Sequence, residues 1–200
     1  MGEEETMKRL KLWLGMILLV CCLAGCGDQE TSYDTTTLVV KDDGTFVEVV
    51  VEPFDKEYYD ASELESFVQN EIQEYNLRKV STQLSLEGVE VEDEIAKVSI
   101  SYKTDEDYRN FNEGTVFVGT VREAINEGYQ FDQTFRAYEK TEDVSVAQVT
   151  ENGNYGIVIT AEAINVALPD KILYISENVV TNGKKSAQTA AGECYIIYKK

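Results

Sequence analysis

Acidic side chains are the only abundant groups in this sequence that could move a proton or hold a metal. The chain has 37 aspartates and glutamates in 200 residues and no histidine. Without imidazole there is no Ser-His-Asp or Cys-His nucleophile, and no zinc site of the kind that needs a histidine ligand. The densest acidic groups are Asp105-Glu106-Asp107 and the run of Glu90, Glu92, Asp93 and Glu94. The first places aspartate at alternate positions, as a calcium loop does. Arg109 and Phe111 stand where oxygen ligands would be needed, however, and the loop glycine is missing, so no metal is expected. In the second, Glu90 and Glu92 share one strand face before a turn, which is the pattern of a solvated edge. Two carboxylates could cleave a glycosidic bond, but among so many acids the sequence singles out no pair. No Gly-rich phosphate loop, Ser-x-x-Lys motif or nucleophile elbow is present. No cofactor is expected.

Two other residue types could do chemistry. Cys194 lies in Glu193-Cys194-Tyr195-Ile196-Ile197-Tyr198, an apolar run typical of a buried strand. There a cysteine behaves as a small hydrophobe, and no histidine is available to activate it as a nucleophile. The chain also has 12 tyrosines and seven phenylalanines. Tyr58-Tyr59, Tyr108 and Tyr129 fall in expected loops, where aromatics can form a platform for carbohydrate or peptide. Core packing with the hydroxyl reaching water is the plainer alternative.

The elements that must position these groups are mostly short strands. Leu38 to Val40 and Phe46 to Val51 flank Asp42-Asp43-Gly44, a hairpin signal. In the second of these, Val47, Val49 and Val51 share one face and Glu48 and Glu52 the other, and Pro53 ends the strand. A helix is predicted over 62–76, with Ser62 as N-cap, Glu65 completing a capping box, and Leu64, Phe67, Val68, Ile72 and Tyr75 in one apolar stripe. Leu84 to Val91 and Ile95 to Tyr102 form another hairpin, in which a bulge at Gly88 accounts for a change of phase. A helical turn is expected over 105–112 and a strand over 115–119. Thr120 and Glu123 form a second capping box, opening a short helix that Gly128 ends. Residues 129–143 read as irregular. Strands then follow at 144–149, 155–160, 164–168, 171–175, 179–180 and 194–198, with Asn152-Gly153, Pro169-Asp170 and Asn182-Gly183 as turns. The pattern predicts an α+β fold, with mostly antiparallel sheet built from hairpins, one main amphipathic helix and one or two short ones. A single domain over 36–200 is expected, preceded by a polar tether over 26–35.

The amino-terminal segment has its own logic. Lys8, Arg9 and Lys11 precede an apolar stretch from Leu12 to Ala24 that ends in Leu23-Ala24-Gly25-Cys26. As a helix this stretch would span about 20 Å, short of a hydrocarbon core of roughly 30 Å, so a secretory signal fits it better than a membrane span. The layout resembles the signal peptide of bacterial lipoproteins, and Leu-Ala-Gly-Cys is a full match to that family's lipobox. The resemblance implies recognition of Leu23, Ala24 and Gly25 by the signal peptidase, and cleavage between Gly25 and Cys26. It also implies diacylglycerol on the Cys26 sulfur and acylation of the new amino terminus. Met1 to Thr6 match an N-myristoylation pattern, but a secretory core follows directly, which argues against it. Three glutamates ahead of the basic residues are foreign to a signal peptide, so translation is expected to start at Met7.

Cleavage at Cys26 would leave 175 residues, enough for one domain with a real core. Cys21 and Cys22 would leave with the signal, and Cys194 would have no disulfide partner. The segment removed carries three basic and three acidic residues, so 15 basic face 34 acidic residues and the net charge stays at −19. Such a charge argues against nucleic acid as a partner and against the domain lying flat on anionic lipid. The 175-residue remainder is similar in style to small, acidic, uncharacterised lipoproteins of low-GC Gram-positive anaerobes, as in Lys41-Asp42-Asp43-Gly44-Thr45 and Phe54-Asp55-Lys56-Glu57-Tyr58-Tyr59. The resemblance implies a lipid-anchored protein on the extracytoplasmic face of the cell membrane. It is expected to act without catalysis, binding an envelope polymer or protein or serving as an envelope component. A carboxylate-based extracellular hydrolase is the alternative. A substrate-capture lipoprotein of a transporter is third, since 175 residues is short for the two lobes that task usually takes.

Overall fold

Alternating apolar and polar residues sort many of the described residues into strands too short to stand alone, and two sheets collect them. The computed structural model describes residues 33–200. In chain order these form β1 (Thr37–Val40), β2 (Phe46–Pro53), α1 (Ala61–Lys79), β3 (Leu84–Glu92), β4 (Ile95–Tyr102), α2 (Asp105–Asn112), β5 (Val116–Thr120) and α3 (Val121–Glu127). There follow β6 (Phe135–Ala137), β7 (Asp143–Val144), α4 (Val146–Val149), β8 (Gly156–Thr160), β9 (Asn165–Ala167), β10 (Ile172–Ser176), β11 (Val179–Gly183), β12 (Ser186–Thr189) and β13 (Cys194–Tyr198). The first sheet runs β11-β12-β9-β1-β2-β4-β3 and the second β5-β8-β13-β10-β6-β7. Every pairing is antiparallel except β1 with β9. The fold is α+β, as the hairpin signals predict.

Register decides which face of the first sheet is buried. Phe46, Glu48 and Val50 of β2 stand opposite Tyr102, Ile100 and Val98 of β4, and Leu38 of β1 stands opposite Glu48. This row faces inward, while Val47, Val49 and Val51 are half-buried on the other side. The expected alternation is present, and it turns Glu48 into the core. The change of phase in β3 is a bulge: Leu86 pairs with Ile100 and Gly88 with Ser99, leaving Glu87 as the extra residue. It returns Val89 to the face of Leu84 and Leu86, where Leu86 and Val89 pack on the core.

One core cluster joins both sheets and α1. It includes Leu38, Phe46 and Tyr102 from the first sheet, Ile172, Ile196 and Tyr198 from the second, and Ile72 and Tyr75 from α1. A second cluster lies on the other face of the second sheet, where Phe117, Ile157, Tyr195 and Ile197 meet Val121 and Ala124 of α3 and Val149 of α4. With both faces covered, β8 and β13 are buried along their whole length. Each large aliphatic side chain buried in this way contributes about 1.5–3 kcal/mol.

Several local expectations are corrected. The N-cap of α1 is Asp60, not Ser62: its Oδ1 accepts the N–H groups of Ser62 and Glu63 at 2.8 and 3.0 Å. Once Ala61 is helical, those N–H groups lie in the first turn and need an outside acceptor. Residues 105–112 make a full helix, because Thr104 caps the N–H of Asp107. The strand expected over 144–149 is only the end of β7. Ser145 and Gln148 form a capping box and turn the rest into α4. The region 129–143 contains β6, held between β10 and β7. Asn182-Gly183 belongs to β11, whose partner β12 has no apolar pattern to announce it.

Candidate functional site

The helix stripe predicted from spacing is only partly used. Ile72 and Tyr75 are buried, Leu64 and Val68 are half-buried, and Phe67 is 63% exposed. The unused end of the stripe forms one wall of a groove. Pro53 ends β2, and the chain leaves the sheet with the Phe54 N–H donating to the Glu94 carbonyl at 2.6 Å. Phe54, Tyr58 and Tyr59 then form a short aromatic cluster, with Phe54 tilted against Tyr59 at 4.7 Å between ring centres and Tyr58 edge-on to Tyr59 at 5.0 Å. Tyr58 is 77% exposed. Val50, Ala96 and Val98 form the floor, and the groove has a volume of about 570 Å³, within the size range of ligand pockets. Glu52, Asp60 and Glu63 line it, and no lysine or arginine does. An aromatic surface with an anionic rim suits an amphipathic cation.

The structure also brings together two carboxylates that the sequence leaves scattered. Glu48 projects from β2 into the core and is 8% exposed. Tyr108 of α2 reaches it, and the same phenol oxygen lies beside Glu162 in the turn after β8, at 3.0 and 2.9 Å respectively. Asn112 Nδ2 donates to the other Glu48 oxygen at 3.0 Å, and the Tyr102 hydroxyl approaches it at 3.4 Å. The Thr115 N–H donates to Glu162 Oε1 at 2.8 Å. Burial pushes Glu48 above the ordinary glutamate value; the Tyr108 hydrogen bond opposes this and the Glu162 charge adds to it. Burial and the neighbouring Glu48 charge likewise hold the Tyr108 phenol far above its usual value.

The acids singled out from sequence have plainer uses. Asp105 pairs with Arg109 at 2.7 Å, and Lys79 with Glu106 at 3.3 Å. Asp107 is buried, accepting from Thr104 Oγ1 at 2.6 Å and from the Tyr75 hydroxyl at 3.0 Å. These three share a helix end and make no metal cage; among the described residues no cluster of three metal-ligating side chains occurs. Glu90, Glu92, Asp93 and Glu94 are all exposed on the β3–β4 hairpin. Of the aromatics, Tyr58 and Tyr59 do form an exposed platform, whereas Tyr108 is a buried helical residue and Tyr129 packs on the second core. Cys194 is buried. Leu23, Ala24, Gly25 and Cys26 lie outside the described residues, as does most of the tether expected over 26–35. Among the described residues no helix is long and apolar enough to cross a membrane. Comparison with family models, curated proteins and solved structures finds no match to this chain.

Proposed function

We propose that this is a lipid-anchored protein of the cell surface that binds a cationic, partly apolar polypeptide without catalysing its reaction. The complete lipobox ending at Cys26 supports the anchor. The groove beside α1 carries the binding reading: clustered Phe54, Tyr58 and Tyr59 line it together with the exposed Phe67, and every charged residue in its lining is acidic. The net charge of −19 extends the same preference over the whole molecule. Such charge speeds the encounter with a basic partner, and the aromatics supply the contact area.

The test uses a lysine–leucine amphipathic peptide against the full chain in detergent. Wild type should bind it, more weakly as salt screens the rim. A double change of Tyr58→Ala and Phe67→Ala should lower affinity about tenfold, on the order of 1.4 kcal/mol. Equal affinity of wild type and variant would remove the groove from the reading. For the anchor, Cys26→Ala should prevent partition into detergent, and intact mass should show lipid on Cys26 in the wild type.

A carboxylate hydrolase is the second reading, favoured by the pairing of Glu48 with Glu162. A glycosidase would need its scissile bond between the two acids, and here the Tyr108 hydroxyl fills that place. Turnover of a polysaccharide or peptide panel, abolished by Glu162→Gln in a folded protein, would favour the enzyme.

A further inference from the structure

Glu48 and Glu162 meet on a single oxygen that has one hydrogen to give. Tyr108 Oη lies 3.0 Å from Glu48 Oε1 and 2.9 Å from Glu162 Oε2. A phenol donates one hydrogen bond at a time. If both carboxyls were ionised, one of these contacts would press an anionic oxygen against a phenol lone pair. The outward oxygens are already served. Glu48 Oε2 has the Asn112 amide and the Tyr102 hydroxyl, and Glu162 Oε1 has the Thr115 N–H. The unmet hydrogen therefore belongs on one of the two oxygens that face Tyr108.

We propose that Glu48, Tyr108 and Glu162 hold one shared proton, which fastens the turn at 161–163 to α2 and is released as pH rises. One carboxyl donates to the phenol oxygen while the phenol donates to the other carboxylate. Gly114 shows how closely the parts are fitted. A Cβ there would strike the Glu162 carboxylate and come within 2.8 Å of the Tyr108 ring. The elements around the cluster present β2 with Glu48, β4 with Tyr102, α2 with Tyr108 and Asn112, the post-β8 turn with Glu162, and β1 with apolar Leu38. Neutral donors can stabilise one anion among them. They do not cancel two. Loss of the proton leaves two negative charges on one phenol, and the half-buried Glu162 is the member able to swing to water, loosening its turn from α2.

The sign follows from Glu48 being held above its unfolded value. The stability that the raised Glu48 value contributes is fully present below the ordinary glutamate value and is lost as pH rises through the folded one. The experiment uses the full chain in detergent. Infrared spectroscopy at a pH just above the ordinary glutamate range should show a protonated-carboxyl C=O band that shifts in D₂O, and Glu48→Gln and Glu162→Gln should each lose it. Across a pH series, the melting temperature of Glu48→Gln should match wild type in acid and exceed it increasingly as pH rises, because the amide stands in for the protonated carboxyl. Comparing the two proteins cancels the general relief of acidic repulsion at low pH. Should Glu48→Gln fail to fold, the half-buried Glu162→Gln gives the same two readouts. Absence of the band, or a melting difference that does not change with pH, would overturn the proposal.

Discussion

Cys194 has no exposed surface, and its thiol lies 3.3 Å from the Ala190 carbonyl. Burial pushes that thiol above its usual value, with the Ala190 contact opposing, so thiolate is scarce and access is closed at once. Labelling with a thiol reagent should be slow in the native protein and fast in denaturant. Rapid native labelling would place the sulfur at the surface. The burial of Cys194 was legible because its neighbours in sequence, Tyr195 to Tyr198, announce a core strand. Glu48 gave no such sign. It alternates with valines as a solvent-facing residue would, and what makes its inward turn tolerable are the hydrogen-bond partners Tyr102, Tyr108 and Asn112, none of them local. A sequence pattern records the period of a strand; which face a long-range partner will cover is decided elsewhere.

The helix α3, signalled at both ends, was legible in the sequence, whereas α4 was hidden in an apolar run that reads as strand despite its Ser145–Gln148 box, and β12 gave no sign. The Thr120–Glu123 box and the αL Gly128 define α3 on both sides, whereas β12 exists only because β11 and β9 lie beside it. The end of α1 departs from rule: the αL cap is Val80, at φ 58°, and its side chain is 90% exposed. A β-branched residue in that conformation is strained by roughly 1–2 kcal/mol, and burial returns nothing for it. Val80→Asn should therefore stabilise the fold by about 1 kcal/mol, since asparagine tolerates this conformation. A urea midpoint no higher than wild type would mean the exposed valine is held by contacts in the folded state. The opposite sign is expected at Gly156. It pairs with Tyr198 across β8 and β13, and a Cβ would run into the Tyr198 ring. Both strands are covered on both faces, so the ring has no room to yield, and Gly156→Ala should cost about 1–3 kcal/mol by overpacking.

At the scale of the whole molecule, charge acts against the fold and, in the proposed reading, in favour of a cationic partner. The net charge of −19 repels itself. Each of the ion pairs Lys56–Asp55, Arg78–Glu74, Lys79–Glu106, Lys97–Asp34 and Arg109–Asp105 keeps at least one partly exposed member, so none offers much in return. Raising ionic strength from low to physiological shortens the reach of every charge to about 8 Å. Repulsion spread over the surface loses more from this than contact pairs do. Added monovalent salt should thus stabilise the folded protein, by on the order of 1 kcal/mol, while weakening its hold on a basic peptide. The two measurements belong together, denaturant midpoints and peptide affinity over one salt series. Opposite slopes are what the proposed binding of a cationic polypeptide requires. A fold that loses stability as salt rises would show that its few ion pairs outweigh the excess of acids, and the preference for a cationic partner would then have to rest on the groove alone.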